Sequence, residues 1–208
     1  MATPPAAPLP PLADDVRRRS LRETLAAAPE PSALRVFAYG SLIWSPCFEI
    51  AGRERAAAPG FHRSFSIWSV HARGTPERPG LGYGLEARAG GRCDGVVFTL
   101  PKDTTEEALI PLWEREMWAD CYRPVWIELE TAQGRSPAVT FVIDPAHRMH
   151  VGDLPISEKA AYIAAAHGKF GPCRSYLFDA WEAFRAAGVE DPETQALVEA
   201  VRAIEAHG

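Results

Sequence analysis

The chain has 208 residues, 47% of them hydrophobic, and carries a net charge of −5 with its histidines neutral. That length supplies one substantial core or at most two small ones, and the acidic balance excludes the clustered Lys and Arg with which a protein neutralises nucleic acid or an anionic membrane surface. Four cysteines, Cys47, Cys93, Cys121 and Cys173, stand far apart with no Cys-x-x-Cys pair, so neither a zinc site nor a disulfide framework is indicated, and a reducing cytoplasm fits best.

The N-terminus has no cationic stretch leading into an apolar one, and no apolar run approaches the roughly 18 residues of a membrane span. "MATPPAAPLPPL", residues 1 to 12, reads as a disordered or polyproline-like lead; Pro-rich recognition is the rarer alternative. "DDVRRRSLRETLAAA" then predicts a short amphipathic helix with Asp14 or Asp15 as its cap and Val16, Leu21 and Leu25 along one side, Arg17 to Arg19 being solvated. Residues 1–31 thus form an extension with a short helix, and 32–208 are expected to form a single domain.

From Arg35 the texture turns to β: "RVFAY", "RSFSIWSV", "GYGLEAR", "GVVFTL", "PVWIELE" and "AVTFVID" read as strands between Gly/Pro clusters, the last two joined by the hairpin loop "TAQGRS". In "PVWIELE", Val125, Ile127 and Leu129 alternate with Trp126 and Glu128, which predicts one buried face. "DTTEEALIPLWEREMWA" interrupts the strands with N-capping threonines and helix formers, and Pro111 suits the first turn of a second short helix over Leu112 to Trp118. The C-terminal third is helical: "SEKAAYIAAAHG" with Ser157 as cap and Gly168 as stop, "YLFDAWEAFRAAG" ending at Gly188, and "DPETQALVEAVRAIEAHG" with Asp191 as cap and Pro192 at the first helical position. Strands followed by helices predict an α+β fold, the helices packed on a curved sheet or barrel.

Which residues carry chemistry is less direct. His147 and His150 in "HRMH" lack a third ligand at recognisable spacing and read as surface histidines rather than a metal site. Neither "GRCDG" nor "YGSL" has the flanking pattern of a nucleophile elbow. In "LWEREMW", Glu114 and Glu116 fall on different sides of a helix beside Trp113, Met117 and Trp118; one facing inward would be hard to ionise and suited to proton transfer, while two solvated carboxylates are the bland reading. Arg73, in "ARGTPERPGL", stands where a guanidinium could clamp a carboxylate. Gly40-Ser41 breaks the apolar run "FAYGSLIW", as a strand does when its end brings backbone close to a ligand.

Taken together, "FAYGSLIW", "ARGTPERPGL", "LWEREM" and "GPCRSYL" resemble, in order, the motifs of the ChaC-type γ-glutamylcyclotransferases, from about Val36 to Leu177. The resemblance implies a small mixed β-barrel with flanking and C-terminal helices, and a cytoplasmic lyase that degrades glutathione to 5-oxoproline and cysteinylglycine without metal or organic cofactor. It implies that Tyr39, Gly40, Ser41 and Leu42 hold the γ-glutamyl group, that Glu116 is the catalytic proton carrier, and that Arg73 and Tyr176 belong to the pocket. A small-molecule substrate, no nucleic-acid or membrane partner, and a monomer are expected.

The implied chemistry is coherent. The γ-glutamyl α-amine attacks its own γ-carbonyl, so the protein has to fold the substrate back on itself. Glu116 would take the amine's proton and return it to the departing nitrogen, and backbone N–H groups of the Gly-Ser turn would meet the developing oxyanion. Two places depart from the family pattern: Ala72 stands where His often precedes Arg-Gly, with His71 one earlier, and Cys173, Arg174 and Ser175 replace Asn-x-Glu before Tyr-Leu. They leave open a cyclotransferase for other γ-glutamyl amines or amino acids, and a non-catalytic γ-glutamyl-binding module.

Overall fold

A computed structural model describes residues 3–207. Met1 and Ala2 of the proline-rich lead lie outside the described residues; residues 3–12 form no helix or strand, and the Leu12 N–H donates to the Trp118 carbonyl at 2.8 Å. The chain divides into two compact units, one of Leu9–His62 with Leu85–Asp144, the other of residues 3–8, Arg63–Gly84 and 145–207.

The first unit is built around a closed barrel in the order β1-β3-β2-β4-β5, comprising β1 (Arg35–Ala38), β2 (Gly52–Ser69), β3 (Gly80–Thr99), β4 (Tyr122–Thr131) and β5 (Gly134–Ile143). It is mixed, because β1 runs antiparallel to β3, with Phe37 opposite Val97, but parallel to β5, with Val36 opposite Val139. Val36, Phe37, Phe98, Leu129 and Phe141 are fully buried and form its core. The hairpin of β4 and β5 turns through Ala132 and Gln133, tighter than the loop the sequence suggests; Gly134 supplies a positive φ of 118° that glycine adopts without steric cost. Ile127 and Leu129 are buried and Glu128 exposed, as the alternation predicts.

Two strand expectations need correction. "GYGLEAR" and "GVVFTL" are one continuous strand, β3, and "RERAAAPGF" joins "RSFSIWSV" in β2. The glycine and proline clusters read as breaks are positions within long strands: Gly60 and Gly90 take φ of 80° and 72°, and a Cβ on Gly91 would come within 2.7 Å of the Phe61 carbonyl. A closed barrel bends its strands sharply, and glycines are where it does so.

Helix α1 (Asp14–Ala26) packs on α2 (Glu106–Glu116), the Trp113 indole donating to the Ser20 hydroxyl at 3.2 Å. Its N-cap is Ala13, so Asp14 and Asp15 occupy the first turn rather than the cap; Leu21 and Thr24 carry the buried face, and Val16 is exposed. Pro111 lies inside α2 and starts no second helix. One turn loses a backbone bond there, yet Leu109, Leu112 and Trp113 bury together on one side and hold the helix through it.

In the second unit α3 (Ile156–Ala165), α4 (Cys173–Ala187) and α5 (Pro192–His207) cover Phe65, Trp68 and Tyr83, Phe184 of α4 packing on the Tyr83 ring. Ser157 lies within α3, capped instead by Pro155, and the helix stops at Ala165 because His167–Gly168 (β6) pairs with Gly171–Pro172 (β7) as a miniature hairpin. Gly188 ends α4 in the left-handed conformation at φ 66°, and Asp191 caps α5 by accepting the Thr194 N–H at 2.7 Å, both as the sequence predicts.

Candidate active site

At the end of β1 the chain turns abruptly. Tyr39 donates its hydroxyl to the Phe141 carbonyl at 2.8 Å, and Thr140 donates to the Phe37 carbonyl at 3.0 Å, fastening the strand end to β5. Leu42 and Ile43 drop into the core and pull Ser41–Ile43 into a short 3-10 helix, in which the Ile43 N–H reaches the Gly40 carbonyl at 2.9 Å. Gly40 has negative φ, so left-handed geometry is not the reason for glycine here. The side chains of Tyr39 and Leu42 are buried, and their effect on the turn is exerted from within the core.

Helix α2 delivers the carboxylates. Thr105 caps its start by accepting the Ala108 N–H, and the buried face of Leu109, Leu112 and Trp113 fixes its rotation. Glu114 is thereby exposed, while Glu116, the last helical residue, is only 14% exposed. Burial raises its pKa to about 7, the Arg115 charge pulling the other way. The inward carboxylate is thus Glu116, the alternative the residues alone left open.

Arg115 ties these parts together. Its Nε lies 3.4 Å from Glu116 Oε1, its Nη2 donates to Ser41 Oγ at 2.6 Å, and its Nη1 donates to the Ser45 carbonyl. The Ser41 turn and the buried carboxylate are therefore held by one guanidinium. Nothing in the sequence pattern sets this arginine apart, because a cation at a helix C-terminus ordinarily complements the helix dipole; its position directly before the inward glutamate is the one signal. Cys47 and Cys121 lie within electrostatic reach of Glu116, and burial raises both thiols, Cys121 to about 11.

Arg73 and Tyr176 belong to the second unit. Arg73 donates to the Phe170 carbonyl at 2.6 Å, and its guanidinium lies 5.4 Å from the centre of the Tyr176 ring. Tyr176 in turn packs against Phe65 and Tyr83, with ring centres 6.0 and 5.9 Å away. The unexpected residues nearby have structural partners: Ala72 accepts the Phe170 N–H at 2.9 Å, buried Cys173 donates to the Leu81 carbonyl at 3.2 Å, and Arg174 pairs with Glu205 at 2.9 Å. His147 and His150 each accept a nearby backbone N–H at Nδ1, and among the described residues no group of three His, Cys, Asp or Glu is placed to hold a metal. No helix of the described residues is long and apolar enough to cross a membrane.

Residues 34–204 match the model of the ChaC-like protein family. The chain is 36% identical over 187 residues to the glutathione-specific gamma-glutamylcyclotransferase of Escherichia coli (strain K12), covering 89% of this chain and 80% of that protein. It is 33% identical over 181 residues to gamma-glutamylcyclotransferase 2-3 of Arabidopsis thaliana, covering 83% and 90% respectively. A crystal structure of a glutathione-specific γ-glutamyl cyclotransferase from yeast superposes with a TM-score of 0.75 at 22% identity, covering 85% of this chain and 99% of the yeast one, which shows the shared fold.

Proposed function

Because the chain belongs to the ChaC-like family, we propose that it is a γ-glutamylcyclotransferase, a carbon–nitrogen lyase that cleaves glutathione into 5-oxoproline and cysteinylglycine. One observation carries the mechanism: a nearly buried carboxylate, Glu116, with its pKa raised to about 7, is tied through Arg115 to the Gly40-Ser41 turn. Free in water the α-amine of glutathione is mostly ammonium, which cannot attack. Ionised Glu116 takes one of its protons, the neutral amine attacks the γ-carbonyl carbon, and a five-membered ring closes. The carbonyl oxygen gathers negative charge in front of the turn, whose opening N–H groups have no acceptor within the 3-10 helix. As the amide C–N bond breaks, Glu116 gives the proton to the departing nitrogen of cysteinylglycine; ionised again, it takes the second proton from the ring nitrogen and passes it to the released amine, leaving a neutral lactam. A group near pKa 7 serves both directions, because it is neither too weak a base to accept nor too weak an acid to donate.

Gly40, Ser41 and the backbone at Tyr39 and Leu42 support the γ-glutamyl group in this reading; within the second unit, the Arg73 guanidinium beside the Tyr176 ring is of the kind that clamps a carboxylate. Four free cysteines suit a cytoplasmic enzyme, which we propose acts as a monomer. The test is to incubate the purified protein with reduced glutathione in the presence of a chelator and follow both products by mass spectrometry, with Glu116→Gln alongside. We expect equimolar products from the native protein and at least a hundredfold less from the variant, in line with the loss of a general acid–base. Products formed equally by both proteins would remove Glu116 from the mechanism; cleavage of other γ-glutamyl compounds in place of glutathione would move the substrate assignment and keep the chemistry.

A further inference from the structure

The guanidinium of Arg115 makes contacts that an ordinary helix-end cation does not need. Its three nitrogens are divided among the carboxylate of Glu116, the hydroxyl of Ser41 and the carbonyl of Ser45, on a segment some seventy residues earlier in the chain. The side chain is only 30% exposed. A planar fork with fixed donor directions can hold three acceptors at once; a lysine ammonium on a flexible stem cannot reproduce that arrangement. We propose that Arg115 is a positioning residue, a strut that sets the distance between the substrate-holding turn and the proton-carrying carboxylate and keeps part of Glu116's population ionised in a buried site.

This inference rests on the function proposed above and adds to it a group that never exchanges a proton with the substrate. Charge and geometry are separable consequences. Of the titratable groups facing Glu116 among the described residues, Arg115 is the only one whose charge favours ionisation, since Cys47 and Cys121 are themselves neutral, raised thiols. Removing the positive charge therefore makes the carboxyl harder to ionise, and the acid limb of kcat/KM moves to higher pH. Removing the fork while keeping the charge leaves that limb in place but frees the turn, and kcat falls because the ring-closing geometry is no longer held.

Three variants test this. Arg115→Gln should shift the acid limb upward by about one pH unit and lower kcat. Arg115→Lys should leave the limb where it is and still lose roughly tenfold to a hundredfold in kcat. Ser41→Ala, which deletes only the accepting oxygen, should lower kcat with the native limb. The Glu116 carboxyl is also titrated by carbon-13 NMR without substrate, in the native protein and in Arg115→Gln, with Glu116→Gln assigning the signal. An unmoved midpoint and limb in Arg115→Gln overturns the electrostatic half of the proposal. Native kcat in both Arg115→Lys and Ser41→Ala overturns the strut, and these two decide it if Arg115→Gln does not fold. If the native protein cyclises no γ-glutamyl compound, the proposed function fails, and the NMR midpoint alone then decides whether Arg115 sets the ionisation of Glu116.

Discussion

Glu116 and Glu114 differ by two positions and by almost everything else. A helix turns about 200° over two residues, so fixing α2 through Leu109, Leu112 and Trp113 leaves one carboxylate in water and the other nearly enclosed. Enclosure costs stability, and the sign follows from the shift. Glu116 titrates at about 7 when folded against 4.5 when unfolded, so between those values the folded state binds more protons and stability falls as pH rises. Below 4.5 both states are protonated and the penalty vanishes; above 7 it is complete, at about 3 kcal/mol. We expect Glu116→Gln to melt at a higher temperature than the native protein at pH 8 and within error of it at pH 4.5, measured by calorimetry. The same ionisation governs rate in the opposite direction, since only ionised Glu116 accepts the substrate's proton. The kcat/KM of the native protein should therefore fall below an apparent pKa near 7, and a limb near 4.5 would show that burial does not perturb the working carboxyl.

Elements reveal where sequence patterns are sufficient. Capping residues are legible at Thr105 and Asp191, but not at α1, where Asp14 and Asp15 fall in the first turn behind Ala13. Ser157 misled because the β6–β7 hairpin and the start at Pro155 are set by neighbours outside the local pattern. That hairpin positions Arg73: Lys169 and Phe170 donate their N–H groups to the carbonyls of His71 and Ala72, and the Phe170 carbonyl accepts from the Arg73 guanidinium. Gly168 sits so close that a Cβ would come within 2.4 Å of the Gly74 nitrogen and 2.6 Å of the Ala72 carbonyl oxygen. These are backbone atoms, so an added methyl has to separate the two segments. We expect Gly168→Ala to cost about 1–3 kcal/mol in denaturant unfolding and, because Arg73 lies between the displaced residues, to raise KM for glutathione more than it lowers kcat. An unchanged KM with reduced stability would leave Arg73 as a structural residue.

Across the whole molecule, the β-rich stretch and the helical end are legible because each rests on runs of residues, and the mixed barrel through the resemblance its motifs carry, whereas the buried polar network of the second unit is not, because it joins single residues from distant stretches. Lys159 of α3 donates to Ser64 of β2 and to Glu193 of α5, both at 2.6 Å. Next to it, Arg63 pairs with Asp191, and Tyr83 shares a 2.6 Å hydrogen bond with Thr194. Lys159 alone reads as a solvated helix residue, yet it is 6% exposed. A buried charge is tolerated only with its partner, so removing one member should be far worse than removing both. We expect Lys159→Met to cost about 3 kcal/mol in urea unfolding, since it takes the ammonium away from a Glu193 carboxylate that keeps its bond from the Ser64 hydroxyl, and the pair Lys159→Met with Glu193→Gln to recover most of that loss. The double variant should keep its cyclotransferase rate if the network serves stability alone. If the two losses simply add, the ammonium and the carboxylate are each solvated independently, and the three-way contact among α3, β2 and α5 contributes nothing to holding the helices in place.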